Sequence, residues 1–296
     1  MKKPNKMSRS SRSLAAMLVL ASTLQYCAEP KTGCLDVRAT NFEVDADAGC
    51  EDCCTYPQLR IDLLHKFTIG DSLLNFVPGS TYPDGAGAPF RLSDLRFYFS
   101  EIHLLRTNGT TLQLEDQIVL RKANANGDSI KIEVEDNFGL ATPASLARIL
   151  PGNFRDGGTF TGIRFNIGIG EPARNADPNS APASHPLRPQ SIPMWTSSQG
   201  YLSQRIEVFS GSPPADTIRR ILEYGGAASV KQISLSFNQP LAVPPGFHIA
   251  LTLRIDYARW LKNIQFRTDS DAAVFRKISE NLPFSFLVTG ISATSN

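Results

Sequence analysis

The chain has 296 residues with a hydrophobic fraction of 42%, which is enough to fill the core of one large or two small domains and too much for a disordered chain. Its formal net charge is +2, but five basic residues and no acidic residue lie in the first 26 positions, so residues 27–296 carry a net charge of −3. This balance gives no support to a role in binding nucleic acid.

The N-terminus resembles a bacterial export signal. Basic residues precede an apolar run from Leu14 to Leu24, which has the length of a secretory h-region and is too short to span a bilayer. Cys27 follows in Leu-Gln-Tyr-Cys, which is similar to a relaxed lipobox. We therefore expect residues 1–26 to be a signal peptide and Cys27 to carry a lipid that anchors the protein to a membrane, in the periplasm or at the cell surface. The alternative is a signal cleaved elsewhere, which leaves Cys27 free.

All five cysteines lie between positions 27 and 54. With Cys27 lipidated, an even set of four remains in an exported chain, which favours two disulfides within residues 27–57; the set is Cys34, Cys50, Cys53 and Cys54. Adjacent Cys53 and Cys54 are not expected to pair with each other, so two connectivities stay open. A zinc site is the alternative, because Cys50 and Cys53 have metal-ligand spacing.

The first predicted strand places a histidine on an apolar face. Apolar and polar residues alternate from Gln58 to Phe67, with His65 on the apolar side, either as a core residue or as a metal ligand. A second strand, Leu92 to Arg106, loses its alternation between Phe99 and Ile102, which indicates a β-bulge. The following Asn108-Gly109 predicts a tight hairpin turn into a strand over Thr111 to Leu120.

Further along, short strands outnumber helices. Thr142-Pro143 predicts a helix to Leu150, Pro213 to Ile221 a turn and short helix, and Ser270 caps a helix that runs to Asn281. The loop from Glu171 to Pro193 contains six prolines, and loops of this length are usually functional when ordered.

His248 falls on the polar face of the strand Phe247 to Tyr257, so we expect it at the surface. We predict that residues 58–296 form one all-β domain, an antiparallel β-sandwich with a few short helices, preceded by the disulfide-stapled segment.

A series of motifs covers most of the chain beyond the signal: Leu-His-Lys-Phe at 64–67, Leu-Arg-Phe-Tyr-Phe-Ser-Glu-Ile-His-Leu at 95–104, Phe-Asn-Ile-Gly-Ile at 165–169, His185-Pro186-Leu187, Met194-Trp195, Gly200-Tyr201, Ile206-Glu207, and Ile255-Asp256 with Trp260. In this order the motifs resemble the MbnP-like family of exported bacterial copper-binding proteins. The cysteine-rich segment is similar to the one found in lipoprotein members.

The resemblance implies a β-sandwich that binds copper through histidines near a tryptophan. In some members this tryptophan is oxidised to kynurenine by a partner similar to di-haem cytochrome c peroxidases. Carried over by motif, the expected copper ligands are His65 and His185, and the expected redox residue is Trp195. Met194 can assist, because thioether and imidazole both suit Cu(I). The alternative for Trp195 is a core or loop anchor.

The sequence also departs from the family pattern. Tyr224-Gly225 stands where members commonly have His-Gly, and Thr196 and Ser197 replace a second aromatic residue beside Trp195. These changes predict a weakened or lost copper site. The leading function is thus a non-enzymatic copper-binding lipoprotein, and the alternative is a surface interaction or adhesion module that uses the proline-rich loop. A hydrolytic enzyme is least favoured, since neither a nucleophile elbow nor a metalloprotease histidine pair is present.

Overall fold

The computed structural model describes residues 29–112, 114–143, 148–214 and 218–295. The predicted signal peptide and Cys27 lie outside these ranges. Within them the chain is dominated by β-strands, with two short α-helices. The strands are β1 Thr32–Gly33, β2 Ala48–Gly49, β3 Gln58–Ile69, β4 Ser72–Asn75, β5 Thr81–Pro83, β6 Pro89–Arg106, β7 Gln117–Ala123, β8 Ser129–Glu135, β9 Gly139–Ala141, β10 Arg148–Asn153, β11 Gly158–Ile167, β12 Trp195–Thr196, β13 Gly200–Ser210, β14 Ile218–Gly225, β15 Lys231–Val243, β16 His248–Asp256 and β17 Phe286–Thr294; the helices are α1 Tyr257–Trp260 and α2 Asp271–Asn281.

Two sheets form the body of the molecule. One has five strands in the order β10-β3-β16-β17, with β4 beside β3; the other has eight, in the order β12-β13-β6-β11-β15, with β14, β5 and β9 attached. Pairing within both sheets is antiparallel except between β3 and β16, which run parallel. The predicted all-β sandwich is confirmed, and the parallel pair is a feature that the sequence pattern did not indicate.

The main core lies between the two sheets. Alternate residues of β3 and β16 point inward from the five-stranded sheet, and alternate residues of β6 and β11 meet them from the other. Buried members include the aliphatic side chains of Leu59, Ile61 and Leu251 and the rings of Phe97, Phe99, Phe165 and Trp260. Helix α1 supplies Tyr257 and Trp260 to this core, and α2 adds Val274 and Ile278.

A second apolar cluster covers the outer face of the eight-stranded sheet. Tyr98 lies between Phe97 and Phe99 in β6, so it points away from the main core. It packs with Tyr201 of β13, with the β7–β8 hairpin, and with residues of the long loop after β11, among them Leu187 and Met194. The proline-rich loop is therefore folded against the sheet.

The expected bulge and turn are both present. The register between β6 and β11 shifts around Glu101, whose φ is +48°, and this re-phases the strand so that Ile102 faces the main core. Gly109 has φ +82° in the Asn108-Gly109 turn. The turn prediction is confirmed. Among the described residues of the returning chain, the bridge to β6 is between Leu105 and Thr111, and the next strand begins at Gln117.

Three local predictions are wrong. Residues 148–150 belong to β10 and not to a helix, because Arg148 and Ile149 pair with β3; residues 144–147 lie outside the described ranges. Residues 218–221 likewise begin β14 instead of ending a helix. His248 is only 6% exposed, and its Nδ1 accepts the backbone N–H of Gln58 at 3.0 Å, so it lies at a strand junction and not at the surface.

The cysteine-rich segment folds as a small stapled unit before β3. Cys34 pairs with Cys54, and Cys50 pairs with Cys53, which is one of the two connectivities left open by the sequence. The unit joins the sandwich through Phe154, whose N–H donates to Pro57 O, and through Arg155, whose guanidinium lies 4.1 Å from the ring centre of Tyr56.

Candidate functional site

His65 lies at the inner face of β3, beside helix α1. Its ring is parallel to that of Tyr257, with the ring centres 5.8 Å apart, and its Nδ1 is 2.7 Å from the Tyr257 hydroxyl. Its Nε2 is buried and has no hydrogen-bond partner among the described residues. Such an orphaned buried nitrogen is uncommon, because buried polar side-chain atoms are normally satisfied.

The surroundings of His65 keep its imidazole neutral. Burial lowers the pKa of His65 to about 4, since the charged form is poorly solvated there. Tyr257 is fully buried, and burial raises the pKa of its hydroxyl well above the usual range. When Nδ1–H donates to the Tyr257 oxygen, Nε2 presents a free lone pair, which is the form of histidine that binds a metal.

His185 is held on the other side of the eight-stranded sheet with both ring nitrogens engaged. Its Nδ1 accepts the N–H of Leu187 at 3.1 Å, which places the proton on Nε2, and Nε2 then donates to Asp136 Oδ1 at 2.7 Å. The ring of Phe138 packs edge-on against it, with the ring centres 6.0 Å apart. A metal could reach His185 only by displacing one of these two hydrogen bonds.

Met194 and Trp195 belong to the same outer cluster as the proline-rich loop. Met194 is 2% exposed, and its carbonyl accepts the N–H of Leu202 at 2.9 Å. Trp195 is half-buried against the cluster, and its Nε1 has no partner among the described residues. This environment matches the anchoring role that was the alternative interpretation of Trp195, and it leaves the indole partly accessible.

Two tyrosines fasten the loop that carries His185. The Tyr201 hydroxyl donates to Leu187 O at 2.8 Å, and the Tyr98 hydroxyl donates to Pro186 O at 3.3 Å. Burial raises the pKa of both hydroxyls well above the usual range, so both remain donors at any physiological pH. These two contacts fix the position of His185.

The three expected copper donors therefore do not form one site. His65 faces the core between the sheets, whereas His185 and Met194 lie against the outer face of the eight-stranded sheet. In this geometry His65 and His185 do not share a metal, because a complete sheet separates them and each ligand must lie about 2 Å from the ion. Within the described ranges, no three side chains of His, Cys, Asp or Glu are grouped to hold a metal ion.

Tyr224, at the position where the sequence departs from the family pattern, does not supply a histidine ligand for copper. Tyr224 faces the main core, where its ring packs on Phe275 with the ring centres 4.9 Å apart. Its hydroxyl points to the carbonyl of Asp271 at 3.5 Å. Of the expected copper donors, His65 is the one with a buried ring nitrogen that has no hydrogen-bond partner among the described residues.

A cavity of about 510 Å³ opens beside His185. Its polar lining combines the His185–Asp136 pair with Arg96, Asp116 and Gln190. Phe138 and Leu140 supply an apolar wall. A pocket of this size that mixes both charges with apolar surface is suited to a small polar ligand.

Sequence reasoning missed the partners of both histidines. Asp136 is 49 positions from His185, and Tyr257 is 192 positions from His65. No local motif connects such distant residues, so only the fold reveals these pairs. The one signal in the sequence was the placement of His65 on an apolar strand face, which predicts an inward position but not the partner.

The fold and these residues define a class: a β-sandwich with a disulfide-stapled segment, a histidine with one buried nitrogen that has no partner among the described residues, and a loop fastened over one sheet. Within the described part of the chain, no helix is long and apolar enough to cross a membrane. The family model MbnP matches residues 56–276, and the chain belongs to the MbnP family. The solved structure of MbnP from Methylosinus trichosporium is similar over 80% of this chain and 98% of that one, at 14% identity and a TM-score of 0.42. No curated protein matches the chain in sequence.

Proposed function

We propose that this chain is an exported, non-enzymatic copper-binding protein of the cell envelope, in which His65 supplies the first copper ligand. Membership of the MbnP family supports a role in copper handling, since the family resemblance implies copper binding by histidine. The anchor at Cys27 is part of the same proposal.

The observation that carries the proposal is the free Nε2 of His65. The atom is buried, has no partner among the described residues, and belongs to an imidazole whose pKa of about 4 keeps it unprotonated. Neutral imidazole is a good ligand for Cu(I). A single imidazole holds copper weakly, so we expect a low affinity, in line with Tyr224 at the position where family members commonly have histidine.

Competition titration of Cu(I) against a chromophoric chelator tests this proposal. The purified protein is expected to bind one Cu(I), His65→Ala is expected to lose that binding, and His185→Ala is expected to keep it. His103→Ala is the matched control, because His103 is a half-buried histidine on a different strand, β6. Absence of Cu(I) binding, or binding that does not depend on His65, rejects the proposal.

We also propose a partner similar to di-haem cytochrome c peroxidases that oxidises Trp195. Trp195 supports this step because it is half-buried, whereas Trp260 is fully buried in the core. Incubation with such a partner and peroxide is expected to change the mass of the Trp195 peptide and to leave the Trp260 peptide unchanged. Modification confined to Trp260, or absent from both peptides, contradicts the proposal.

The cavity beside His185 supports a second candidate function, a module that binds a partner or ligand through the proline-rich loop. In that case Arg96→Gln weakens capture of the ligand, and chelation of copper leaves capture unchanged. The copper proposal places its site at His65, outside the lining of this cavity, so Arg96→Gln is expected to leave Cu(I) binding unchanged; measuring Cu(I) binding and ligand capture on the same variants separates the two.

A further inference from the structure

The two disulfides of the cysteine-rich segment differ in burial and in the length of chain that they close. Cys34 is 1% exposed, and its bond to Cys54 joins residues 20 positions apart. Cys53 is exposed, Cys50 is half-buried, and their bond joins residues only three positions apart. The first bond is the more sheltered of the two, because Cys34 is fully buried and Cys54 half-buried, whereas neither cysteine of the second bond is fully buried.

These differences assign different roles to the two bonds. A disulfide stabilises a fold mainly by restricting the unfolded chain, and the effect grows with the length of the closed loop. The Cys34–Cys54 bond therefore contributes more to the fold than the Cys50–Cys53 bond. Exposed disulfides are also the ones that exchange readily with thiols. Opening the Cys50–Cys53 bond is thus both easier and less damaging.

A groove of about 670 Å³ leads to this bond. It is lined by Leu35, Asp36, Cys50, Cys54, Tyr56 and Arg155. Cys50 and Cys54 border the groove and Cys53 does not, so a molecule in the groove reaches the Cys50–Cys53 bond from the Cys50 side and also lies beside Cys54. The volume is that of a small-molecule pocket.

The groove also carries a fixed cation. The Arg155 guanidinium lies 4.1 Å from the ring centre of Tyr56, and its Nε donates to Glu115 Oε2 at 2.6 Å. These two contacts hold the positive charge at the groove wall. Glu115 offsets part of this charge, and Asp36 also lines the groove; the remaining positive field of Arg155 favours the thiolate form of an entering thiol, which is the form that attacks a disulfide.

We propose that the Cys50–Cys53 disulfide is a thiol–disulfide exchange site for a small-molecule thiol that enters this groove, while Cys34–Cys54 is structural. The incoming thiolate attacks Cys50 Sγ, the Cys50–Cys53 bond breaks, and Cys53 leaves as a thiolate that takes a proton from water. A second molecule of the thiol then attacks the mixed disulfide at the sulfur that came from the first molecule. Cys50 leaves as a thiolate and takes up a proton, and the two thiol molecules are joined as their disulfide. Two electrons pass from the two thiols to the protein.

Titration of the purified full-length protein with glutathione, followed by differential alkylation and peptide mass spectrometry, tests the proposal. We expect Cys50 and Cys53 to be reduced at a glutathione concentration roughly ten-fold or more below that needed for Cys34 and Cys54, with the transient glutathione adduct on Cys50. Arg155→Gln is expected to slow the reaction several-fold.

The double variant Cys50→Ser/Cys53→Ser is the matched control, because it retains Cys34–Cys54 and should show no reduction at low glutathione. Reduction of both bonds at the same concentration overturns the proposal. A glutathione adduct on Cys53 or Cys54 also overturns the proposal. The same holds if glutathione does not reduce the Cys50–Cys53 bond and only a protein dithiol does. If the double variant fails to fold, the order of reduction in the unsubstituted protein decides alone.

Discussion

At the scale of single residues, the half-buried His65 makes the stability of the protein depend on pH. His65 has a folded-state pKa of about 4, below the 6.5 of an exposed histidine, so the unfolded chain takes up a proton before the folded protein does. The contribution of His65 to stability is therefore fully present above pH 6.5 and is lost as the pH decreases toward 4. The full shift corresponds to at most about 3 kcal/mol, at about 1.36 kcal/mol per pKa unit.

Denaturant unfolding of the protein and of His65→Gln between about pH 4 and pH 8 measures this contribution. The neutral amide cannot take up a proton, so the variant is expected to lose less stability on acidification, with the difference concentrated between pH 6.5 and 4. Parallel pH profiles for the two proteins would show that His65 is not the titrating group.

Gln204 is a second residue whose surroundings predict a measurable effect. It is 1% exposed on β13, paired in register with Phe97 and Tyr224, and neither amide atom has a partner among the described residues. Burying an unsatisfied amide costs about 1–3 kcal/mol. Gln204→Met, which keeps a similar volume without the amide, is expected to raise the free energy of unfolding by about 1–2 kcal/mol.

Thermal unfolding followed by circular dichroism checks the Gln204 prediction. Each 1 kcal/mol corresponds to an increase of about 2–4 °C in Tm for a domain of this size. Gln204→Glu is the opposite control, because a carboxylate at this position is expected to lower Tm. A lower Tm for Gln204→Met would mean that the amide is satisfied in solution.

The same residues show how far sequence reasoning extends at this scale. The alternation of β3 predicted that His65 points inward, and this is confirmed by its contact with the buried Tyr257. The same argument failed for His248, because the strand begins at that residue and its side chain turns to bond the first residue of β3. A period of two specifies the face of a residue in the middle of a strand, but not at an end where other elements meet.

At the scale of elements, the proline-rich loop depends on a few contacts. Its residues 185–188 are held by the hydroxyl of Tyr201 on Leu187 O and by internal hydrogen bonds to His185. Tyr201→Phe removes the donor and leaves a buried carbonyl unsatisfied, which costs about 1–3 kcal/mol. We expect local opening of the loop without unfolding of the sandwich.

Hydrogen exchange detects this opening as faster exchange of the amides of His185, Leu187 and Arg188. Tyr224→Phe is the matched control, since the same atom is removed on the other face of the sheet, where the contact is 3.5 Å long. Equal exchange of the loop amides in Tyr201→Phe and in the unsubstituted protein would exclude the hydroxyl as the fastening contact.

The sequence predicted the strands more reliably than the short helices between them. Thr142-Pro143 carries the local signature of a helix start, yet Arg148 and Ile149 extend into β10, where Arg148 pairs with Asp62 and Ile149 enters the core. Tertiary pairing outweighs the weaker local preference. Apolar residues also alternate at Ile163, Phe165, Ile167 and Ile169, a pattern that predicts one shared face. Gly168 adopts φ +106°, however, and Ile169 lies in the outer cluster while the other three lie in the main core.

At the scale of the whole molecule, the chain consists of a sandwich with a large core and a stapled segment with almost none. Among the residues between 29 and 57 whose side chains the structure describes, only Gly33, Cys34, Ala39 and Pro57 are buried. The sandwich core extends over both sheets and both helices. The clustering of the cysteines predicted the disulfide-stapled segment, but not how that segment contacts the sandwich at Tyr56 and Arg155.

This division predicts that the two parts lose structure separately when the buried disulfide is removed. In the chain-entropy model, a disulfide that closes a loop of about 20 residues adds about 3 kcal/mol to the free energy of unfolding. The stapled segment has almost no apolar core that could replace this contribution. In Cys34→Ala/Cys54→Ala, we expect residues 31–49 to lose protection from hydrogen exchange while β6, β11 and β16 keep theirs. Cys50→Ser/Cys53→Ser is expected to leave both parts protected, because the short loop contributes little. A single cooperative loss of both parts in the first variant would instead mean that the segment is an integral layer of the sandwich, and that its contact through Arg155 carries more of the stability than its own disulfide.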